Sequence, residues 1–544
     1  MKEYKLLIGG EMISTKKVEN IYRADILYKD IGKIVEFRLH NMNKVGKNLL
    51  RVLYPFVKTR DPESRYVVDY IKKNGFPKYE LNELDDLVFA TYPVCSKRHR
   101  QLAVGSAKEA FREYKDVSLK KRIDILRAFA QEFRKNRERL KNISYSLGVS
   151  NIFDWSHDLL TNCMLEENAL ALYSKQLSPE RLSSNSFIVK KPYGVFGILF
   201  PFNYVLFEGM WPILSSVLSG NTIVIKMSKY PAVLFEVLGM LQDVLERFGM
   251  PRGIINTVTG SGKEIADEWI NNDDVNGIVY FGNSNHGLKL GSQAIMKSKK
   301  AVLELAGSDP VLIWKDVEIG DVVKEIIKSR FLGSGQSCFA IKKIYVHKEI
   351  FKDLVDEIVK EAKKLKIAYP FTLDSYYLDQ NIIGSIKSLE QLTFTVSDAV
   401  SKGAVVHIGG NRVNCYGKHD DLGLFFEPTI VTNVNHDMAI MHEETFGPLL
   451  PIMEISGIEE AVRYINKSKY GLRASIWAQD KEIIRQYINE VSAGGVIINS
   501  CHWTFDAYTA HLGGTKLSGI TGAKYFHEEM CYKKYVYGVR KLRE

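Results

Sequence analysis

The chain has 544 residues, of which 45% are hydrophobic, 25% charged and 11% aromatic. This composition excludes global disorder, and the length calls for two or three domains rather than one. The net charge of +10 is modest over such a length; it serves solubility or an anionic cofactor or substrate, and no nucleic-acid partner is expected.

At the start, Met1-Lys2-Glu3-Tyr4-Lys5 is charged and lacks the apolar run of a signal peptide. Six cysteines (Cys95, Cys163, Cys338, Cys415, Cys501 and Cys531) are thinly and irregularly spaced, with no C-x-x-C pair, so a reducing, cytoplasmic setting is expected. Residues Ile34 to Lys58 suit one or two amphipathic helices. The basic cluster Ser96-Lys97-Arg98-His99-Arg100 reads as a solvated loop or helix face more readily than as an anion or partner site. From Ala107 to Ala171 the pattern is helical, with Ala128, Phe129, Phe133 and Leu140 at helical spacing among charges.

The apolar stretch Val195–Ile225 is interrupted by Pro201, Asn203, Glu208, Pro212 and Asn221. It therefore reads as a buried strand–loop–helix–strand unit and not as a membrane span. Strands are expected at Val195–Phe200, Thr222–Lys226, Ile254–Thr259 and Gly277–Phe281, with helices at Glu208–Leu218 and Leu234–Phe248 between them. This βαβαβ alternation implies a parallel sheet covered on both faces. A second series follows: strands near Lys343–His347, Val405–His407, Pro428–Val431 and Ala474–Trp477, and a helix near Phe351–Leu365. The fold class is α/β, with a second α/β unit from about 306 to 520.

Three turns carry residues with chemistry. Cys338 follows Gly333-Ser334-Gly335-Gln336-Ser337, small residues that let backbone N–H groups approach a ligand. A thiolate there can attack a carbonyl; a lone cysteine is more often a small buried hydrophobe. Glu304 lies in the strand-like run Ala301–Leu305, where desolvation would raise its pKa and suit it to activate water. Asn203, leaving a strand in Phe200-Pro201-Phe202-Asn203, can donate to an oxyanion or simply bond its own turn.

Together the three are far more specific than any one. Pro201-Phe202-Asn203-Tyr204, Lys226-Met227-Ser228-Lys229-Tyr230-Pro231, Leu303-Glu304-Leu305-Ala306-Gly307, Gly335-Gln336-Ser337-Cys338, Glu443-Glu444-Thr445-Phe446-Gly447-Pro448 and Leu512-Gly513-Gly514-Thr515-Lys516-Leu517-Ser518-Gly519 resemble, in order and spacing, the motifs of the aldehyde dehydrogenase superfamily. The resemblance covers roughly residues 105 to 535. It implies a Rossmann-like cofactor domain (1–173 and 194–305, with an atypical insertion near 20–100), a catalytic domain (306–522) and a small β oligomerisation element (174–193 and 523–544). It implies Cys338 as nucleophile, Asn203 as oxyanion donor and Glu304 as the base for deacylation. An aldehyde would be oxidised to an acid through a thiohemiacetal and a thioester.

The same resemblance assigns the cofactor site. Gly282 and Asn283 fall where the family binds the pyrophosphate, Glu444 and Phe446 where it holds the nicotinamide ribose and ring, and Lys226 where it reaches the adenosine ribose. Where members that prefer NAD carry Glu, this chain has Lys229, so NADP is the expected cofactor, with NAD possible. Gly260-Ser261-Gly262-Lys263 is not a P-loop, because Glu264 follows the lysine, and His442-Glu443-Glu444 is not a zinc motif, because Phe446 takes the second His position; no metal is expected. Phe207, Trp211, Ser337, Phe339, Trp503 and Phe505 are candidates for the aldehyde tunnel, with core packing equally open for the aromatics. The rivals are a CoA-acylating enzyme and a catalytically silent scaffold of the same fold. The long N-terminal region resembles the insertion of the pyrroline-carboxylate dehydrogenase branch. A hairpin near Leu177–Tyr193 and a strand near Tyr532–Val539 look like the family's dimer or tetramer contacts.

Overall fold

The structure, a computed structural model, describes residues 2–22, 73, 88–146, 150–199, 202–227, 232–367, 380, 383–501, 513–520 and 526–541. The helices expected at Ile34–Lys58, most of the N-terminal insertion, and Lys229, Trp503 and Phe505 lie outside the described residues.

The first α/β unit is built on five parallel strands in the order Ile255–Val258, Thr222–Lys226, Val195–Leu199, Gly277–Gly282, Lys300–Leu305. These segments are continuous apolar runs because helices cover both faces of the sheet. From Val195–Leu199 the chain winds outward through two strands, then returns to wind the other way. The carboxyl ends of the strands on either side of that switch form a crevice, the usual ligand position in such sheets. A sixth strand, Gly519–Ile520, adds antiparallel to Lys300–Leu305. It comes from the stretch that the sequence places in the catalytic unit, so the chain passes between the two sheets twice.

The helical region is a layer of helices, among them Lys97–Tyr114, Leu119–Lys135 and Glu167–Leu177. In Leu119–Lys135, Ser118 caps the first turn by accepting from the Lys121 N–H, and Ile123, Leu126, Phe129, Ala130 and Phe133 form the buried stripe. That stripe packs into the same core as Val205–Ser219 and Ala232–Arg247. The basic cluster at residues 96–100 is a helix start: Ser96 is the N-cap, and the Arg100 guanidinium makes a two-pronged bond to Glu268 at 2.8 and 2.7 Å.

The second unit is a seven-stranded sheet in the order Val405–Ile408, Thr429–Thr432, Leu449–Ile455, Ile341–His347, Asp309–Ile313, Arg473–Trp477, Gly495–Ile498. Its edge strand Val405–Ile408 is antiparallel to its neighbour; the other pairings are parallel. Only Ala306-Gly307-Ser308 separates the last parallel strand of one sheet from Asp309 at the centre of the other. A third, antiparallel sheet joins Glu180–Ser183, Ser186–Pro192 and Cys531–Tyr537. It leaves Leu182, Tyr535 and Tyr537 exposed.

Candidate active site

Cys338 is held by a loop with unusual backbone. Gly333, Ser334 and Gly335 all take left-handed φ values of 60°, 56° and 66°. At Gly335 a side chain has no room: a β-carbon would lie 2.6 Å from the Gly447 carbonyl oxygen and 2.8 Å from that of Arg330. The fully buried Arg330 ties the surroundings together, donating to the carbonyls of Ile341, Thr445 and Gly447. Behind the cysteine, the buried Lys342 ammonium donates to the carbonyls of Ser337, Cys338 and Ala340 at 2.5, 3.2 and 3.1 Å. Three donors on one cation match three backbone acceptors, so this loop is fixed from below.

Asn203 and Glu304 reach the same place from the other sheet. Asn203 Nδ2 donates to the Gln336 carbonyl at 3.0 Å, which orients the amide while leaving its second N–H for another acceptor. Asn203 Oδ1 and Glu304 Oε1 are buried and find no hydrogen-bond donor among the described residues. Buried polar atoms are nearly always paired, so exceptions of this kind near the thiol single out a candidate site. Glu304 sits near the carboxyl end of its strand and is buried. Burial pushes its pKa up to about 7, with Arg473 pulling it down and Asp309 pushing it further up. Glu444 Oε1 accepts from the Gly307 N–H at 3.2 Å, linking the crossover segment to the loop 443–448, and Phe446 meets the ring of Phe202 at 6.4 Å.

Cys338 itself keeps part of its surface accessible. Burial by its surroundings, then the negative groups Glu208 and Glu304, hold the thiol well above its ordinary value. Glu208 is the residue that sequence reasoning missed. Its Oε1 accepts from Cys338 Sγ at 3.7 Å, and burial, reinforced by Glu304, raises its pKa to about 8. The signal was present: Glu208 is the one charged residue in the 15-residue helix Val205–Ser219. It served there only to argue against a membrane span. Lys342 and Arg473 were missed as well: each stands one residue before a strand expected from the sequence, Lys343–His347 and Ala474–Trp477.

Of the tunnel candidates, Phe207, Trp211, Ser337 and Phe339 gather around this point. Phe207 packs on Trp211 at 5.0 Å, while Trp155 touches Tyr204, Phe207 and Phe339 at 5.2, 5.6 and 5.9 Å. Ser337 is buried beside the cysteine. The cofactor candidates Lys226 and Gly282 terminate the two strands that flank Val195–Leu199, and Asn283 caps the helix Ser284–Met296, its Oδ1 accepting from the Asn285 and His286 N–H groups. Lys226 also lies near the start of the helix Gly262–Ile270, its Cε 4.0 Å from the β-carbon position of Gly262. Two helix N-termini and a lysine at one sheet edge fit a dinucleotide's phosphates. Among the described residues no cluster of metal-ligating side chains occurs, and no helix is long and apolar enough to cross a membrane.

The profile of the aldehyde dehydrogenase family matches residues 72–536, and the chain belongs to that family. It is an NAD(P)-dependent aldehyde dehydrogenase. Lactaldehyde dehydrogenase of Methanococcus maripaludis strain C5 is 30% identical, over 84% of this chain and 95% of that protein. The peroxisomal aminoaldehyde dehydrogenase 1 of Pisum sativum is 31% identical, over 81% and 88%. Among solved structures, glyceraldehyde-3-phosphate dehydrogenase GapN of Methanocaldococcus jannaschii, complexed with NADP, superposes with a TM-score of 0.74 at 27% identity, covering 82% of this chain and 96% of that one.

Proposed function

We propose that Cys338 is the nucleophile, Asn203 the side-chain oxyanion donor and Glu304 the base that hydrolyses the acyl-enzyme. One observation carries this reading: the thiol, the half-held amide and the unpaired carboxyl meet where the chain crosses between its two sheets. The sulfur attacks the aldehyde carbon, and the second N–H of Asn203, with the Cys338 backbone N–H, receives the developing oxyanion. A bound dinucleotide supplies the hydride acceptor. Glu304, tuned to about 7, then takes a proton from water as it attacks the thioester. Retention of this carboxyl favours water over CoA as the acyl acceptor; product formation that requires CoA rejects that assignment.

NADP is assigned as the preferred cofactor from Lys229, whose charge suits a 2′-phosphate, and from the NADP complex of the GapN neighbour. The named relatives act on short polar aldehydes, and the same class is assigned here. The antiparallel sheet with exposed Tyr535 and Tyr537 is assigned as the contact of a symmetric dimer, or of a tetramer made from two; a monomer by light scattering rejects it. The free thiols of Cys95, Cys338, Cys415, Cys501 and Cys531 fit a reducing, cytoplasmic setting.

The test is an aldehyde panel with NADP and NAD, read as kcat/KM. Turnover by wild type and loss of at least about 10⁴-fold in Cys338→Ser are expected, because a serine hydroxyl is a far weaker nucleophile than a thiolate. Activity retained in Cys338→Ser rejects the nucleophile assignment.

A further inference from the structure

We propose that Glu208 is the specificity-determining carboxyl of the aldehyde pocket, and that it selects aldehydes bearing a hydroxyl on the carbon next to the carbonyl. This deepens the reading above and rests on Cys338 being the attacking group. Glu208 is 5% exposed, and no lysine, arginine or histidine among the described residues forms an ion pair with it. A buried carboxyl without a cation is costly unless a donor satisfies it. Its donor is the Cys338 S–H at 3.7 Å.

That donor is consumed by the reaction. As the Sγ–C bond forms, the carbonyl π pair moves to oxygen, the S–H bond breaks, and the proton ends on that oxygen in the neutral thiohemiacetal. Glu208 then faces a sulfur with no hydrogen to give. A hydroxyl on the adjacent carbon stands three bonds from that sulfur, within reach of a carboxyl already in contact with it. A group at the far end of a longer aldehyde does not stand there.

The chemistry of the pocket favours hydroxyl over the alternatives. Glu208 accepts from Cys338 and, with its pKa raised by burial and by Glu304, presents a hydrogen-bonding carboxyl and no cation, so a phosphate or carboxylate beside the carbonyl finds no opposite charge on it. Tyr204, one turn before Glu208, Phe207 and Trp211 enclose the site with rings and bring no cation. A hydroxyl both donates and accepts, so it pairs with Glu208 whether the carboxyl is protonated or ionised. An ammonium pairs only with the ionised form.

The experiment compares 2-hydroxypropanal, propanal, 3-hydroxypropanal, 3-aminopropanal and 3-phosphooxypropanal, which lacks the 2-hydroxyl, in wild type, Glu208→Gln and Glu208→Met. Wild type is expected to favour 2-hydroxypropanal over propanal by tenfold or more in kcat/KM. Glu208→Met is expected to cut that ratio by tenfold or more, while Glu208→Gln, which still donates and accepts, keeps most of it. Because each ratio is taken within one preparation, partial loss of folded protein does not alter it. An unchanged ratio in Glu208→Met, equal use of propanal by wild type, or a preference for the amino or phosphorylated aldehyde overturns the proposal. Failure of the underlying reading looks different: wild type then transfers no hydride from any aldehyde to either cofactor.

Discussion

The two sides of Cys338 are built by different means. On the side proposed for the cofactor the work is done by backbone: strand ends and two helix starts. On the side proposed for the substrate it is done by side chains of the helix Val205–Ser219 and its N-cap Tyr204, with Glu208 and the rings of Tyr204, Phe207 and Trp211. A backbone site tolerates few residues at few positions. A helix face can exchange one side chain without moving its neighbours. Chemistry is therefore fixed in the turns, and selectivity is free to vary on the helix.

The largest expected effect breaks the chemical side. Glu304→Gln is expected to lower steady-state turnover by roughly 10²–10⁴-fold while leaving a first-turnover burst of reduced cofactor, since only deacylation needs the base. In wild type the ionised form is the active one, so kcat should rise with pH through about 7 and the variant should lose that limb. Absence of a burst would place Glu304 in acylation instead. A smaller effect sharpens the cofactor side: Lys229→Glu should move preference toward NAD by on the order of 1–2 kcal/mol, one charged contact, in the ratio of kcat/KM values. Equal values for both cofactors in wild type reject the assignment.

The smallest effect belongs to the substrate side and is read in stability. Glu208 binds its proton more tightly folded than unfolded, so its contribution favours folding at low pH and is lost as pH climbs through about 8. Glu304 and Asp309 behave alike near 7. Glu208→Gln, which cannot ionise, should gain in Tm relative to wild type as pH rises from 6 to 9. A Tm difference that does not change with pH counts against a buried, proton-binding Glu208.

How much of this was legible follows the same division. The strands Thr222–Lys226 and, to within one residue, Gly277–Gly282 were readable from apolar runs bounded by turn residues, while Cys338, Glu304 and Asn203 stood out only through the combined resemblance of their segments to the family's motifs. Their convergence was not; it depends on the crossover at Ala306-Gly307-Ser308 and on pairing across the sheets. Glu208 was visible as an odd charge in an apolar helix, yet no local pattern says which way a helix turns its faces. Lys342 and Arg473 were hidden for a related reason: burial of a charge is decided by the loop that caps it, and that loop is distant in the sequence.

Arg330 has a further consequence. By gripping the strand that follows the nucleophile and the loop that carries Glu444 and Phe446, it makes the two a single mechanical part. An engineer transplanting the segment 443–448 from a cousin to alter coenzyme handling would disturb the sulfur's perch unless residues 330–338 travelled with it.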